Sequence, residues 1–132
     1  MIEGLQEKKI EYRIYENGYR MLMVKPSFNY DDKNQTDKID EIIILSSRYK
    51  TKEGIGVNSD IDDFIANYPN YRLWWTYVGD MYVLDSEDVG GDIQFLLDAE
   101  DCIITPKSDS DMTILKRSDF KKGSKIKKIR VR

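Results

Sequence analysis

Carboxylates are the residues best placed to do chemistry in this chain, because its 132 residues include no histidine. Without imidazole there can be no histidine-dependent triad, and the commonest general base and metal ligand are absent. Paired acids could form a catalytic dyad, but a solvated acidic surface also produces such pairs: Asp31 with Asp32, Asp62 with Asp63, and Asp98 with Asp101. We therefore expect no enzymatic activity, no catalytic residue and no cofactor.

Two further patterns match ligand sites only in part. Asp60 and Asp62 have the spacing of the first calcium-loop ligands, but the third ligand, the central glycine and the terminal glutamate are missing. Gly54-Ile55-Gly56 precedes a predicted helix, yet it lacks the third glycine and the Lys-Ser/Thr pair of a phosphate-binding loop. We expect no metal site, and these glycines should simply reverse the chain.

Aromatic side chains are concentrated in residues 68–82, which contain six of them. Successive side chains of a strand face opposite sides of the sheet. Leu73, Trp75 and Tyr77 would therefore share one face, and this set is typical of a core.

The opposite face of the same strand would carry Arg72, Trp74 and Thr76. Exposed tryptophan and arginine are enriched where proteins bind one another. We predict that these three residues form a partner-binding surface. The alternative is that a loop or the Phe28 side chain covers Trp74.

Charge divides the chain near residue 107. Residues 107–132 carry ten Lys or Arg and three Asp, a net +7, whereas residues 1–106 carry eleven and twenty-one, a net −10. Nucleic-acid binding is not favoured, because no aromatic follows Phe120 and because Lys127 and Lys128 would lie on opposite faces of a strand. We expect an edge strand protected by its lysines against aggregation.

The chain is predicted to have an α+β fold, mainly an antiparallel β-sheet with one short helix at about residues 60–68. Asn17-Gly18 between two alternating β-prone segments is the strongest hairpin signal. Pro26 should end the second strand, and residues 29–37 should form a surface loop. Ile39–Leu45 should form a strand that is either buried on both faces or in the middle of the sheet.

Residues 60–68 show the pattern of a short amphipathic helix. Ser59 is the expected N-cap, accepting a hydrogen bond from the amide of Asp62, and first-turn aspartates suit the positive end of the helix dipole. Pro69 should end the helix. Apolar residues at helical spacing form one stripe for packing on a sheet: Ile61, Phe64, Ile65 and Tyr68.

Alternating segments predict five more strands. The first three should be successive antiparallel neighbours, and the last should close the chain. They are Tyr71–Val78, Met81–Leu84, Asp92–Asp98, Met112–Leu115 and Lys125–Val131.

An internal similarity connects two of these strands. Lys38-Ile39-x-x-Ile42-x-Ile44 matches Lys125-Ile126-x-x-Ile129-x-Val131, and each follows a glycine and an apolar strand. We expect a single domain over residues 1–132, with two related β half-units at about 9–46 and 54–132 if the repeat is genuine. A chance match of two short β patterns is the alternative.

The segment from Gly54 to Asp98 resembles the helix-then-meander unit of small bacterial cell-envelope lipoproteins. The outer-membrane assembly lipoprotein family and the tandem β-lactamase-inhibitor-protein fold share that layout. Thr51 to Ser59 is also similar to a turn of uncharacterised secreted or lipid-anchored domains. The resemblance implies an extracytoplasmic location, periplasmic or at the cell surface, and surfaces that bind without catalysis.

Nothing in the sequence predicts a transmembrane segment, since the longest aliphatic run is Ile42–Leu45 and a span needs about 20 apolar residues. Residues 1–9 lack the apolar core of a signal peptide, so a lipid anchor would have to lie upstream. A cytoplasmic location is the alternative. The single cysteine, Cys102, excludes an intramolecular disulfide and is expected to be a small buried residue.

These observations predict a non-enzymatic protein-binding or scaffold domain. It would bind an unidentified protein partner through Arg72, Trp74 and Thr76. An inhibitor or immunity protein is the alternative. In that case the acidic stretch from Asp85 to Asp101 would occupy a basic site on a toxin or enzyme.

Overall fold

The computed structural model describes residues 12–16, 18–29, 34–106 and 111–132, with all side chains except those of residues 12, 19, 26–29 and 34–38. Within these residues lie one α-helix and eight strands. They are β1 (Tyr12–Glu16), β2 (Tyr19–Asn29), β3 (Asn34–Ile44), α1 (Ile61–Asn67), β4 (Tyr71–Thr76), β5 (Met81–Ser86), β6 (Ile93–Leu97), β7 (Met112–Ile114) and β8 (Ile126–Val131).

The eight strands form one continuous sheet in the order β1-β2-β3-β8-β6-β5-β4-β7, and every neighbouring pair is antiparallel. Short 3₁₀ turns at Ala99–Asp101 and Arg117–Asp119 connect the later strands. The predicted α+β fold, mainly antiparallel with one short helix, is confirmed.

The first hairpin forms where the sequence predicts it. Glu16 pairs with Tyr19, and Gly18 has a φ of 81°, the left-handed conformation that this turn requires. Asn17 lies outside the described residues.

Pro26 does not end β2, so that prediction is wrong. β2 continues to Asn29 and β3 already begins at Asn34, which leaves only residues 30–33 of the predicted loop outside these strands and outside the described residues. The register between β2 and β3 shifts on both sides of Pro26. Such an irregularity lets a strand pass a residue that has no N–H group to donate.

α1 begins one residue later than its sequence pattern indicates. Asp60, not Ser59, is the N-cap, and its Oδ1 accepts a hydrogen bond from Asp62 N at 2.9 Å. The Ser59 hydroxyl instead accepts from Gly56 N at 2.9 Å. An aspartate and a serine are nearly equal as caps, so tertiary contacts decide between neighbours.

Gly56 is required by a close approach of two backbone segments. It bridges to Lys50, and a Cβ at this position would lie 2.5 Å from the Tyr49 carbonyl oxygen. The glycine pair therefore closes a loop onto the preceding chain, as the sequence predicts, and it has no need of a ligand.

The apolar stripe of α1 packs against one face of the sheet, here called the helix-covered face. Ile61, Phe64 and Tyr68 are buried, and Ile65 is half-buried against the same cluster. From the sheet, Leu73 and Trp75 join them as predicted, whereas Tyr77 lies past the end of β4 and is 60% exposed. The core also includes Tyr82, Leu84, Phe95, Leu97, Ile126 and Ile129.

Backbone and side-chain bonds fix α1 to the start of β8. Ile61 N donates to Ser124 O at 3.0 Å, and Ile126 N donates to Ser59 O at 2.9 Å. Arg117 donates to both carboxylate oxygens of Asp62, at 2.7 and 3.2 Å. The hydrogen bonds from Arg117 lower the pKa of the Asp62 carboxyl.

The last strand is not at the edge of the sheet, so the prediction of a lysine-protected edge is wrong. β8 lies between β3 and β6 and pairs with both. The two similar segments are thus direct neighbours: Ile42 pairs with Val131 and Ile44 with Ile129, symmetrically about the pair of Ile43 and Arg130. The division into two half-units stays a prediction.

We expect Phe64→Ala to destabilise the protein by about 3–5 kcal/mol, because it empties a fully buried site. The Phe64 ring centroid lies 4.9 Å from those of both Phe95 and Tyr68. Urea unfolding followed by circular dichroism measures the change. Asp63→Ala, at the adjacent exposed position, is the control and should alter the free energy of unfolding by less than about 1 kcal/mol. Equal losses in both variants would contradict the assigned core.

Candidate functional site on the open face of the sheet

The side of the sheet opposite α1, here called the open face, carries the predicted site residues. Arg72, Trp74 and Thr76 alternate along β4 with the buried Leu73 and Trp75 and so lie together on this side. Arg72 is exposed, and Trp74 and Thr76 are half-buried.

Trp74 and Thr76 line a shallow cavity of about 480 Å³, here called the open-face groove. The groove spans strands from both halves of the sheet. Its other lining residues are Met23, Lys25, Glu41, Ile43, Val78, Gly79, Met81, Gln94, Leu96, Lys128, Arg130 and Arg132.

Arg72 holds a buried carboxylate and does not line the groove. Its Nε and Nη2 donate to the two oxygens of Asp85, at 3.0 and 2.9 Å, and the Asp85 side chain is only 8% exposed. Trp74 Nε1 lies 3.4 Å from the same carboxylate. Asp85 therefore positions Arg72 and Trp74, two of the three predicted residues, and the hydrogen bonds that Arg72 donates to Asp85 raise the pKa of Arg72.

Apolar side chains form the floor beside Trp74. Trp74 is opposite Val83 on β5, and Val83 is opposite Leu96 on β6. Val83 is fully buried and Leu96 is 4% exposed. The same cross-strand row continues to Lys128 on β8. A tryptophan and a lysine thus stand at the two ends of an apolar floor.

An ionic cluster connects β2, β3 and β8 on the open face. The Glu41 carboxylate, 11% exposed, accepts a hydrogen bond from Arg130 and lies 3.0 Å from Lys25 Nζ. Arg130 also donates to Gln94 Oε1 at 3.1 Å. Burial raises the pKa of Glu41, but the hydrogen bonds and charges of Arg130 and Lys25 outweigh it, so the net shift is downward. Glu41 is therefore ionised near neutral pH.

The groove is electropositive although the whole chain has a net charge of −3. Four cations line it, namely Lys25, Lys128, Arg130 and Arg132, against the single carboxylate of Glu41, which leaves a local charge of +3. Because clefts concentrate the field of the charges that line them, this local sign governs which ligands approach.

Exposed apolar side chains continue the groove past Trp74 to the edge of the sheet. Ile114 on β7 is paired with Trp74 and is 67% exposed. Val78 is 70% exposed and Met112 is 45% exposed. Clustered exposed apolar residues of this kind mark sites of interaction with other molecules.

A second and larger cavity, of about 680 Å³, lies near the loop that follows β3. Its charged residues are already engaged by one another or by the local structure. Arg48 is ion-paired with Glu16, and the Arg20 guanidinium stacks 5.8 Å from the centroid of the Tyr15 ring. The open-face groove is therefore the stronger candidate.

No family model, curated protein or solved structure matches this chain. The resemblance to cell-envelope lipoprotein domains consequently stays a prediction. So do the absence of enzymatic activity and the extracytoplasmic location. The chemistry of the groove has to be argued from its own residues.

Other predicted features occupy structural positions. Asp60 caps α1, and Asp62 pairs with Arg117. Among the described residues, there is no group of three or more His, Cys, Asp or Glu side chains that could hold a metal ion. Cys102 is half-buried, and burial raises the pKa of its thiol. Within the described ranges, no helix is long and apolar enough to cross a membrane.

The inhibitor alternative would use the acidic stretch from Asp85 to Asp101, but internal contacts already engage two of its carboxylates. Asp85 is buried against Arg72, and Asp98 Oδ1 accepts from Glu100 N at 3.0 Å. Lys127 lies 3.7 Å from Asp98 as well. The inhibitor function stays a prediction, with these two carboxylates less available to a partner.

Sequence reasoning missed Glu41 and the cationic half of the groove. One signal was present, since Lys128, Arg130 and Arg132 alternate along the last strand and must therefore share a face. The partner strand carrying Glu41 could not be found, because the pairing of β3 with β8 joins residues about 90 positions apart.

We expect Glu41→Gln to destabilise the protein by about 1–3 kcal/mol at pH 7, because it removes the acceptor charge between Arg130 and Lys25. Since the folded pKa of Glu41 is lowered, its contribution is present above the unfolded value of about 4.3 and lost as pH falls through the folded value. The difference in unfolding free energy between wild type and variant should therefore shrink below about pH 4.

Urea unfolding from pH 7 to pH 3 measures this difference. Glu16→Gln is the matched control, because the Glu16–Arg48 pair is exposed, at 49% and 59%, and should leave the unfolding midpoint unchanged. A Glu41→Gln deficit that stayed constant across this pH range would show that the Glu41 charge does not stabilise the sheet.

Proposed function

We propose that this chain is a non-enzymatic protein-binding or scaffold domain that holds its partner on the open face. The observation that carries the proposal is the position of Trp74. Its half-buried ring lies between an apolar floor, formed by Val83 and Leu96, and the exposed apolar side chains at the sheet edge.

Protein interfaces commonly have an aromatic or apolar centre and a polar rim. The open-face groove has this arrangement, with Trp74 and Met81 on one side and Lys128 and Arg132 on the other. Asp85 anchors the Trp74 indole at 3.4 Å. An aromatic that is already ordered loses less conformational entropy on binding, which supports its use as an anchor.

We place this activity in the bacterial cell envelope, outside the cytoplasm. The support for this location is the resemblance of Gly54–Asp98 to the helix-then-meander unit of envelope lipoproteins. Fractionation of cells that produce the full-length protein, followed by immunoblotting of periplasm, membranes and cytoplasm, tests it. Recovery in the cytoplasm alone would contradict it.

Site-specific photocrosslinking in the cells that produce the protein tests the binding surface. We expect p-benzoylphenylalanine at Thr76 to give a discrete protein adduct, because Thr76 lines the groove beside Trp74. The control places p-benzoylphenylalanine at Ala66, which is exposed on α1 on the other side of the sheet, and should give no adduct. The adduct is read by immunoblot and identified by mass spectrometry.

Trp74→Ala should abolish the Thr76 adduct and weaken binding of the purified partner roughly 30-fold, the size expected when an aromatic hot spot is removed. Thr76→Tyr adds bulk to the groove without changing its charge, at the loss of one exposed hydrogen bond from Val78 N, and should weaken binding as well. Isothermal titration calorimetry measures both affinities, and thermal unfolding verifies that the variants fold. Unchanged affinity in both variants, or an adduct from Ala66 alone, would contradict the proposal.

A further inference from the structure

The cations of the open-face groove divide into an engaged pair and a free pair. Lys25 and Arg130 are bound to Glu41. Within the part of the chain that the structure describes, the side chains of Lys128 and Arg132 have neither a carboxylate partner nor a side-chain hydrogen bond. No other side chain in the described ranges therefore competes with an anionic ligand for Lys128 and Arg132.

The free cations and the apolar anchor lie a defined distance apart. Lys128 on β8 and Trp74 on β4 belong to one cross-strand row, separated by Leu96 on β6 and Val83 on β5. Three spacings of about 4.8 Å give roughly 14 Å between the two strands. An extended peptide rises about 3.3 Å per residue, so this distance corresponds to roughly four residues.

We propose that the open-face groove binds an extended acidic segment of a partner protein. One carboxylate of this segment pairs with Lys128, and an apolar side chain about four residues away packs on Trp74 and Met81. A further carboxylate pairs with Arg132, which lies four positions beyond Lys128 in the sequence. The segment crosses the strands of the sheet and does not add to its edge. This inference rests on the proposed protein-binding function and names the chemistry of the partner.

Charge complementarity supports an acidic segment as the occupant. The groove is locally +3 on a chain of net −3, so an acidic segment is attracted to this face and repelled by most of the remaining surface. Apolar contact with Trp74 alone would not distinguish this partner from others. Lys128 and Arg132 in the same groove would favour a partner that also carries carboxylates.

A nucleic acid fits the same groove less well. Single-strand binding uses several stacked aromatics along a cationic track, and Trp74 is the only aromatic that lines the groove among the described residues. Lys127, the residue before Lys128, does not line the groove, and its Nζ lies 3.7 Å from Asp98. This cation is therefore engaged outside the groove and does not extend its positive track.

Adjacent lysines provide a matched test of this assignment. The probe is a phage-displayed library of random 12-residue peptides, selected on the full-length wild-type protein. We expect the enriched peptides to be rich in Asp and Glu and to carry a large apolar residue three to five positions from an acid. The best peptide is then synthesised with a fluorophore, and its affinity is measured by fluorescence anisotropy.

Lys128→Glu should weaken binding of this peptide at least about tenfold. Lys127→Glu, the same charge change at a neighbouring residue that does not line the groove, should alter the affinity less than about twofold. Arg132→Gln is a second variant with little risk to folding, because its side chain is exposed and its backbone hydrogen bond to Asp92 O is retained. Raising the salt concentration should weaken wild-type binding, since the pairs are partly exposed.

Three outcomes would overturn the acidic segment: no enrichment of acidic peptides, equal losses in Lys127→Glu and Lys128→Glu, or tighter binding of an eight-nucleotide oligo-uridine than of any selected peptide. These outcomes differ from failure of the protein-binding function. If peptides lose affinity in Trp74→Ala but carry no acids, the surface stands and only its chemistry is wrong. If Trp74→Ala binds them as wild type does, the surface itself is wrong.

Discussion

The pairing of β8 with β3 and β6 is the constraint on which the rest of the structure depends. Strands β1 to β3 and strands β4 to β7 have no neighbour in common except β8, so the six residues Ile126–Val131 join them into one sheet. The start of β8 is also bonded to the chain entering α1, through Ser59 and Asn58. A single late segment therefore determines both the continuity of the sheet and the position of the helix over it. Because its partners lie far away in sequence, this pairing closes long loops and is entropically the most demanding step of the fold.

Charge reinforces the pairing of β8 with β3 where apolar contacts do not. On the helix-covered face, Ile129 and Ile44 are apolar partners beneath the edge of the core. On the open face, where α1 provides no cover, the same two strands are joined by Arg130 and the nearly buried Glu41, with Lys25 and Gln94 completing the hydrogen bonds. A nearly buried carboxylate is tolerated only when donors satisfy it, and here two cations and an amide form one connected network. Because side chains alternate along a strand, apolar contacts stabilise the β3–β8 pairing on one face and ion pairs stabilise it on the other.

Local patterns in the sequence predicted most of the elements, whereas their neighbours could not be predicted. The Asn-Gly hairpin, the apolar stripe from Ile61 to Tyr68 and the meander that follows α1 depend on contacts between residues close in sequence, and they occur where expected. The central position of β8 was mistaken for an edge, because Lys127, Lys128 and Arg130 suggest solvent on both sides. In the structure Lys127 pairs with Asp98 and Arg130 with Glu41. Arg72, Trp74 and Thr76 share one face, as alternation predicts, but only Trp74 and Thr76 line the groove. The cations that complete it belong to strands whose pairing no local pattern specifies.

Net charge is a poor guide to the chemistry of the groove, because charges that are adjacent in sequence have different surroundings in the fold. Lys127 and Lys128 are neighbours of the same type, yet Lys127 lies beside Asp98 outside the groove, whereas Lys128 lines it. Glu41 lowers the charge of that groove by one unit and holds two of its four cations, so the proposed preference for an acidic ligand rests on the other two. α1 is only seven residues long and can cover only one side. The opposite side therefore keeps the Glu41 network, the half-buried Trp74 and two cations without a described partner, and the proposed binding surface depends on the last two features.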